Sequence, residues 1–151
     1  MIEDKTPEAV AEAMAADAGA VYLDVRTVAE FEAGHVPGAL NVPIMVKDPV
    51  TGAMSPNAEF LAVVTAVVPM TSRVFCGCAT GPRSRHAGTV LLQHGYEEVF
   101  NVYAGFNGVV NPLGRVVEPG WAARGLPVES GDGGPLGYAA LREMSGDPGN
   151  G

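Results

Sequence analysis

One short segment, residues 73–84, changes from a strand pattern to a helix pattern, and a cysteine lies at the change. The residues before it, 73–77, form a short apolar run of β-forming side chains. From Arg83 onward, apolar residues recur at helical spacing. The pattern therefore predicts a strand, a tight turn that carries Cys78, and a helix. In such a turn, backbone amides and the helix N-terminus favour the thiolate form of a cysteine and bind an anion beside it.

Strand and helix patterns also alternate along the rest of the chain, which predicts the α/β class. The helical patterns cover residues 7–17, 28–33, 57–68 and 83–94. The strand patterns cover residues 20–24, 41–44, 74–77 and 98–103, and residues 47–56 read as a loop. Strands separated by helices need crossover connections, so we expect a mostly parallel sheet with helices on both faces. Ligands of such sheets bind outside the carboxyl ends of the strands, where Cys78 is expected.

Composition limits the domain count and the partners. A chain of 151 residues with 47% apolar content is long enough for one sizeable core and short for two. We therefore expect one domain over residues 1–129. From residue 130 to 151 glycine and proline are dense, which predicts a loosely ordered tail. A net charge of −8 with no basic cluster argues against nucleic acid and membrane surfaces as partners.

The cysteine content and the first residues predict a cytoplasmic protein. The two cysteines are two residues apart, which gives no disulfide framework and only a weak zinc site. The acidic first residues hold no apolar core of signal-peptide length. We expect no metal and no organic cofactor.

Four motifs resemble those of a known enzyme family when they are taken in order. They are Tyr22-Leu23-Asp24-Val25-Arg26, Glu30-Phe31 followed by Gly34-His35-Val36-Pro37-Gly38-Ala39, Cys78-x-x-Gly81-x-Arg83-Ser84, and Gly120-Trp121 followed by Arg124-Gly125-Leu126-Pro127-Val128. Together they resemble a single-domain rhodanese, a sulfurtransferase. The resemblance implies a rhodanese-like fold with a central parallel five-stranded sheet. It also implies a persulfide on Cys78 as the covalent intermediate.

The expected reaction moves a sulfane sulfur from a small donor such as thiosulfate to cyanide, to a thiol or to a small redox protein. Cys78 is the expected nucleophile. Its loop, comprising Ala79, Thr80, Gly81, Arg83 and Ser84, is expected to bind the substrate, with Arg83 orienting an anionic donor. Because Pro82 lacks an N–H group and no cationic residue adjoins the cysteine, thiosulfate is expected to be a mediocre donor.

Three further residues are candidates for secondary roles. Cys76 shares a strand face with Cys78 and is a candidate relay thiol, although core packing is preferred. Arg26 is a candidate substrate contact, with a structural ion pair to Asp24 as the preferred interpretation. His86 lies one turn into the helix, where a solvated helix face is the default. We expect residues 107–119, an unusual stretch, to line the entrance to the site.

Two other functions stay open at this point. One is a cysteine-dependent phosphatase of a related fold, in which the loop from cysteine to arginine is one residue longer. The four residues between Cys78 and Arg83 favour the sulfurtransferase. The other is a non-catalytic binding or regulatory module, in which the cysteine is usually missing. A further variant of the sulfurtransferase hypothesis is a persulfide carrier that hands its sulfur to one specific protein.

Overall fold

The computed structural model describes residues 2–146. The strands are β1 (Glu3–Lys5), β2 (Val21–Asp24), β3 (Leu40–Asn41), β4 (Met45–Lys47), β5 (Met54–Pro56), β6 (Arg73–Gly77), β7 (Glu98–Val102), β8 (Gly108–Val110) and β9 (Val116–Pro119). The helices are α1 (Pro7–Ala16), α2 (Val28–Ala33), α3 (Phe60–Val67), α4 (Pro82–Gln93) and α5 (Tyr138–Met144). Two single turns of 3-10 helix lie at Ala122–Arg124 and Gly134–Leu136.

The central sheet has five strands in the order β1-β7-β6-β2-β3, and every pairing is parallel. This confirms the predicted fold class. The edge strand β1 was not predicted, because three polar residues carry no strand pattern. Its backbone pairs with Phe100 to Val102 of β7. β6, which leads to Cys78, is the central strand of the sheet.

The two faces of the sheet build two cores, because successive strand residues point to opposite sides. Tyr22 and Phe75 pack with Val10 of α1 and Phe31 of α2 on one face. The other face packs against α3, α4 and α5 through a larger group of buried residues. That group includes Leu23, Val74, Cys76, Cys78, Val63, Val64, Leu91 and Leu141. Helices therefore cover both faces of the sheet, as predicted. Among residues 2–146, no helix has the length and apolar character needed to cross a bilayer.

N-cap hydrogen bonds fix the residues at which α1 and α2 begin. The Thr6 side chain accepts a hydrogen bond from the Ala9 N–H, and α1 follows. Thr27 and Glu30 form a capping box at the start of α2. α3 begins later than its apolar pattern predicts, because Asn57 forms a turn in which its side chain accepts from the Glu59 N–H.

Two segments in which the sequence predicted no strand take part in antiparallel hairpins. Residues 47–56 contribute to the β4–β5 pair, and residues 107–119 form the β8–β9 pair. The exposed side chains of both hairpins alternate poorly between apolar and polar, so period-2 patterning could not reveal them. Hydrogen bonds between the paired backbones hold these hairpins together.

The segment from residue 130 is more ordered than the sequence suggested. Gly133 and Gly134 adopt positive φ angles of 80° and 55° in a tight turn, and α5 follows. Leu141 of α5 is buried in the larger core. The Asn57 side-chain amide donates to the Tyr138 hydroxyl oxygen at 3.0 Å. The glycine density here therefore marks turns, and the expectation of a loose tail is wrong up to residue 146; residues 147–151 lie outside the described residues.

We expect Leu141→Ala to lower the free energy of unfolding by about 2–5 kcal/mol, as for other buried leucines. Met144→Ala is the matched control on the same helix, since Met144 is 69% exposed. It should change stability by about 0.5 kcal/mol or less. Urea denaturation of the three proteins checks this. Equal midpoints would show that α5 does not contribute to the cooperative core.

Candidate active site

Cys78 lies immediately after β6, at the carboxyl end of the central strand. Its side chain is only 1% exposed. The Gly81 N–H donates to its Sγ at 3.1 Å, and the Ser84 hydroxyl oxygen lies 3.3 Å from the same atom. Gly81 is the N-cap residue of α4, and Ser84 lies in the first turn of that helix. A donor directed at sulfur in a buried position stabilises the thiolate more than the thiol.

The loop from Cys78 to α4 depends on a glycine and a proline in sequence. Gly81 has φ 127° and ψ −34°, a conformation that side chains rarely adopt. Pro82 occupies the first turn of α4, where its missing N–H is tolerated. It also disfavours helical angles at Gly81. The helix therefore begins abruptly, and its first N–H groups lie close to the cysteine loop.

The loop is held from the other side by the turn that follows β7. The Phe106 N–H donates to the Cys78 carbonyl at 2.8 Å, and the Asn107 N–H donates to the Ala79 carbonyl at 2.8 Å. Gly105 lies just before this pair, with φ 59°. A Cβ atom there would stand 2.5 Å from the Cys78 carbonyl oxygen and 2.6 Å from that of Ala79. The close approach of the two segments therefore requires glycine.

We expect Gly105→Ala to displace the cysteine loop and change the rate at which iodoacetamide alkylates Cys78. Gly114→Ala is the matched control, because Gly114 also has a positive φ, 82°, but open space around its Cβ position. Both variants carry the backbone strain of about 1 kcal/mol. Only Gly105→Ala adds the collision. Alkylation followed by peptide mass spectrometry would contradict this if the two variants reacted alike.

Arg83 is engaged in an ion pair. Its guanidinium donates to both carboxylate oxygens of Glu30, at 2.8 and 3.0 Å. This pair, together with the Thr27 cap, lowers the pKa of Glu30 to about 2. Glu30 stays ionised throughout the physiological range and neutralises much of the positive charge that Arg83 brings to the site. The contribution of the pair to stability is present above the ordinary Glu pKa and is lost only as the pH falls toward 2.

The Arg83–Glu30 pair forms part of the wall of a cleft of about 620 Å³. The start of α2, the β4–β5 hairpin and Tyr138 of α5 complete the wall. Apolar side chains such as Met45, Val46 and Met54 dominate it. The cleft therefore offers room for an organic molecule beside the arginine of the cysteine loop.

The three secondary candidates lie in different environments. Cys76 is fully buried inside β6, and desolvation raises its pKa to about 12, with a smaller effect from Cys78. Arg26 is 3% exposed, pairs with Asp24 at 2.7 Å and lies over the Phe106 ring at 4.4 Å. These contacts hold its guanidinium in place below the turn that carries Phe106. His86 is on the exposed face of α4.

The hairpin insert and the other prominent side chains mostly serve the scaffold. Asn111 and Arg115 bond to each other across the β8–β9 turn, while Asn107 reaches the cysteine loop through its backbone. His35 stacks on Phe31 and bonds to its carbonyl. The buried Trp121 indole N–H donates to the Pro127 carbonyl at 2.8 Å.

Sequence reasoning missed the partners that surround the loop. Thr27-x-x-Glu30 has the spacing of a capping box, and that signal says nothing about the second partner of Glu30, which is Arg83. Gly105 carries a general turn signal only. Asn101, whose side-chain oxygen contacts Ser84, was part of a strand pattern. These contacts join residues that are far apart in sequence, so spacing along the chain does not disclose them.

The fold is a parallel α/β sheet with a cysteine on the loop after its central strand, and comparison of the sequence with known families identifies the class of domain. The sequence profile of the rhodanese-like domain matches residues 6–112. The chain belongs to the rhodanese-like family.

Several relatives are similar over most of the chain. A protein of Arabidopsis thaliana named thiosulfate sulfurtransferase 16, chloroplastic, is 35% identical over 131 residues, which cover 85% of this chain and 98% of the relative. Thiosulfate sulfurtransferase 18 of the same plant is 40% identical over 90 residues, covering 58% of this chain and 65% of the relative. The crystal structure of Rv0390 from M. tuberculosis superposes with a TM-score of 0.71 at 31% identity, covering 85% of this chain and 98% of Rv0390.

Proposed function

We propose that this protein is a sulfurtransferase that carries a sulfane sulfur as a persulfide on Cys78. The observation that carries the proposal is the position of the Cys78 sulfur. It lies at the carboxyl end of the central strand, with the Gly81 N–H and the Ser84 hydroxyl beside it. Relatives that align over most of the chain are named thiosulfate sulfurtransferases, which supports the same chemistry here.

The proposed reaction has two displacements at sulfur. The Cys78 thiolate attacks the outer sulfur of thiosulfate; the S–S bond of the donor breaks and its electron pair leaves with sulfite. A thiolate or cyanide then attacks the outer sulfur of the persulfide, and the Cys78 thiolate is regenerated. No electrons are gained or lost overall. The Gly81 N–H stabilises the anionic sulfur in both the starting and the regenerated enzyme.

The short loop favours sulfur transfer over phosphate transfer. Gly81, with its positive φ, brings its N–H to 3.1 Å from the Cys78 sulfur. Ser84 approaches the same atom from the first turn of α4. Such a close cradle suits one added sulfur atom, whereas a phosphoryl group presents three oxygens that need separate donors.

We expect Cys78→Ser to abolish thiocyanate formation from thiosulfate and cyanide, with a loss of at least about a thousandfold, because the nucleophile is gone. Cys76→Ser is the matched control two residues away, and it should retain most of the activity. Intact mass after incubation with thiosulfate should show one added sulfur in the wild type and in Cys76→Ser only.

Two results would contradict the proposal. One is full activity in Cys78→Ser. The other is a wild-type protein that gains no sulfur from any of thiosulfate, cysteine persulfide and glutathione persulfide. Hydrolysis of para-nitrophenyl phosphate that disappears in Cys78→Ser would support the phosphatase function instead.

The Arg83–Glu30 pair gives a second prediction, on donor affinity. We expect Glu30→Gln to lower the KM for thiosulfate about threefold to tenfold, the effect of one partly exposed charge interaction. Glutamine keeps the capping box of α2, while Arg83 regains its net charge. The matched control is Glu59→Gln, since Glu59 makes a similar two-bond pair with Arg142 of α5. Steady-state kinetics check this, and equal KM values in both variants would show that Arg83 does not meet the donor.

A further inference from the structure

A chain of hydrogen bonds runs from the protein surface to the sulfur of Cys78. Asp4 of β1 lies opposite Asn101 of β7 in the sheet, and the Asn101 Nδ2–H donates to Asp4 Oδ1 at 2.9 Å. The other end of the Asn101 amide, Oδ1, lies 2.5 Å from the Ser84 hydroxyl oxygen. Ser84 in turn contacts Cys78 Sγ at 3.3 Å. The chain joins Asp4, on the edge strand β1, to the Cys78 thiol through Asn101 and Ser84.

The orientation of the Asn101 amide follows from Asp4. A carboxylate only accepts hydrogen bonds, so the NH₂ group of Asn101 must face Asp4 and its oxygen must face Ser84. Arg85 pairs with the same Asp4 oxygen. Asn101 is 3% exposed and Ser84 is fully buried, so bulk water does not compete for these contacts.

The Ser84 hydroxyl has one hydrogen and three acceptors around its oxygen. They are Asn101 Oδ1, the Gly81 carbonyl at 2.9 Å and Cys78 Sγ. While Cys78 is a thiol, the short contact assigns the hydrogen to Asn101. A thiolate is a stronger, charged acceptor, and the hydroxyl then turns toward sulfur. Ionisation of Cys78 therefore breaks the Ser84–Asn101 hydrogen bond.

We propose that Asn101, oriented by Asp4, is a positioning residue that controls the ionisation of Cys78 by competing with its sulfur for the Ser84 hydrogen. No proton passes between protein groups: the thiol proton leaves to water, and the hydroxyl only rotates. The competition weakens the contact between the Ser84 hydroxyl and the sulfur, and the hydroxyl becomes a donor to the sulfur once an anionic thiolate or persulfide has formed. The inference rests on the proposed sulfur transfer for its purpose, while the ionisation itself can be measured without any sulfur donor.

The test is the pH dependence of iodoacetamide alkylation, followed at the Cys78 peptide. Asn101→Leu, which keeps the side-chain size, should move the midpoint down by roughly half to one pH unit, the effect of one hydrogen bond. Ser84→Ala should move it up by a similar amount, because the thiolate loses its donor. The double variant should match Ser84→Ala. An upward or absent shift in Asn101→Leu, or a shift that persists in the Ser84→Ala background, would overturn the proposal.

Asp4→Ala tests the same chain from its exposed end and keeps the test decisive if Asn101→Leu fails to fold. The Asp4 side chain is 39% exposed, so its removal should preserve the fold. Without Asp4 the amide can reverse and present its NH₂ group to Ser84, and the midpoint should again fall. A direct effect of the lost negative charge would also lower the midpoint, but it would persist in the Ser84→Ala background. Such persistence counts against the proposal.

Sulfur loading separates this inference from the proposed function. Intact mass after incubation with thiosulfate is measured on the same variants. A wild-type protein that never gains sulfur contradicts the proposed function alone, because the alkylation midpoints remain measurable. Midpoints that do not move, in a protein that does gain sulfur, contradict the inference alone.

Discussion

The contact between the cysteine loop and the turn after β7 is the constraint on which the site depends. Phe106 and Asn107 donate their N–H groups to the carbonyls of Cys78 and Ala79, and Gly105 makes the approach possible. With these carbonyls paired, the loop cannot turn them toward the thiol. Repulsion between carbonyl oxygen and an anionic sulfur is thereby avoided, and the Gly81 N–H is left facing Sγ. The neighbouring strand thus shapes the site as much as the loop residues do.

The charge balance of the site is set by pairs and not by single residues. Arg83 is the cation that an anionic donor would meet, yet both of its terminal guanidinium nitrogens donate to the Glu30 carboxylate. Asp4 is likewise paired, with Arg85. The site is therefore nearly neutral within an acidic protein of net charge −8. In the proposed reaction, local hydrogen-bond donors, rather than a strong positive field, would then stabilise the anions.

Sequence patterns predicted the sheet, its parallel strands and the cysteine turn, because each depends on residues that are neighbours in the chain. Gly81 and Pro82, which follow Cys78 closely in the chain, are typical of such a turn. The patterns failed where order comes from distant partners. β1 is ordered by its backbone pairing with β7, and α5 is ordered by the burial of Leu141 in the larger core. Asn101 looked like any strand residue, since only the pairing of β1, β7 and β6 brings it between Asp4 and Ser84.

Burial of Cys78 and stabilisation of its anion are opposing demands that the loop must reconcile. At 1% exposure the sulfur is protected from solvent, and desolvation alone disfavours a thiolate, as it does for the neighbouring Cys76. The two cysteines share one strand face and one core. They differ in their hydrogen-bond donors, because Cys78 stands one residue beyond β6, where the Gly81 N–H and the Ser84 hydroxyl reach its sulfur. Two residues of sequence separate a thiol inside the strand from the thiol that we propose as the nucleophile, and the end of the strand gives only the second one these donors.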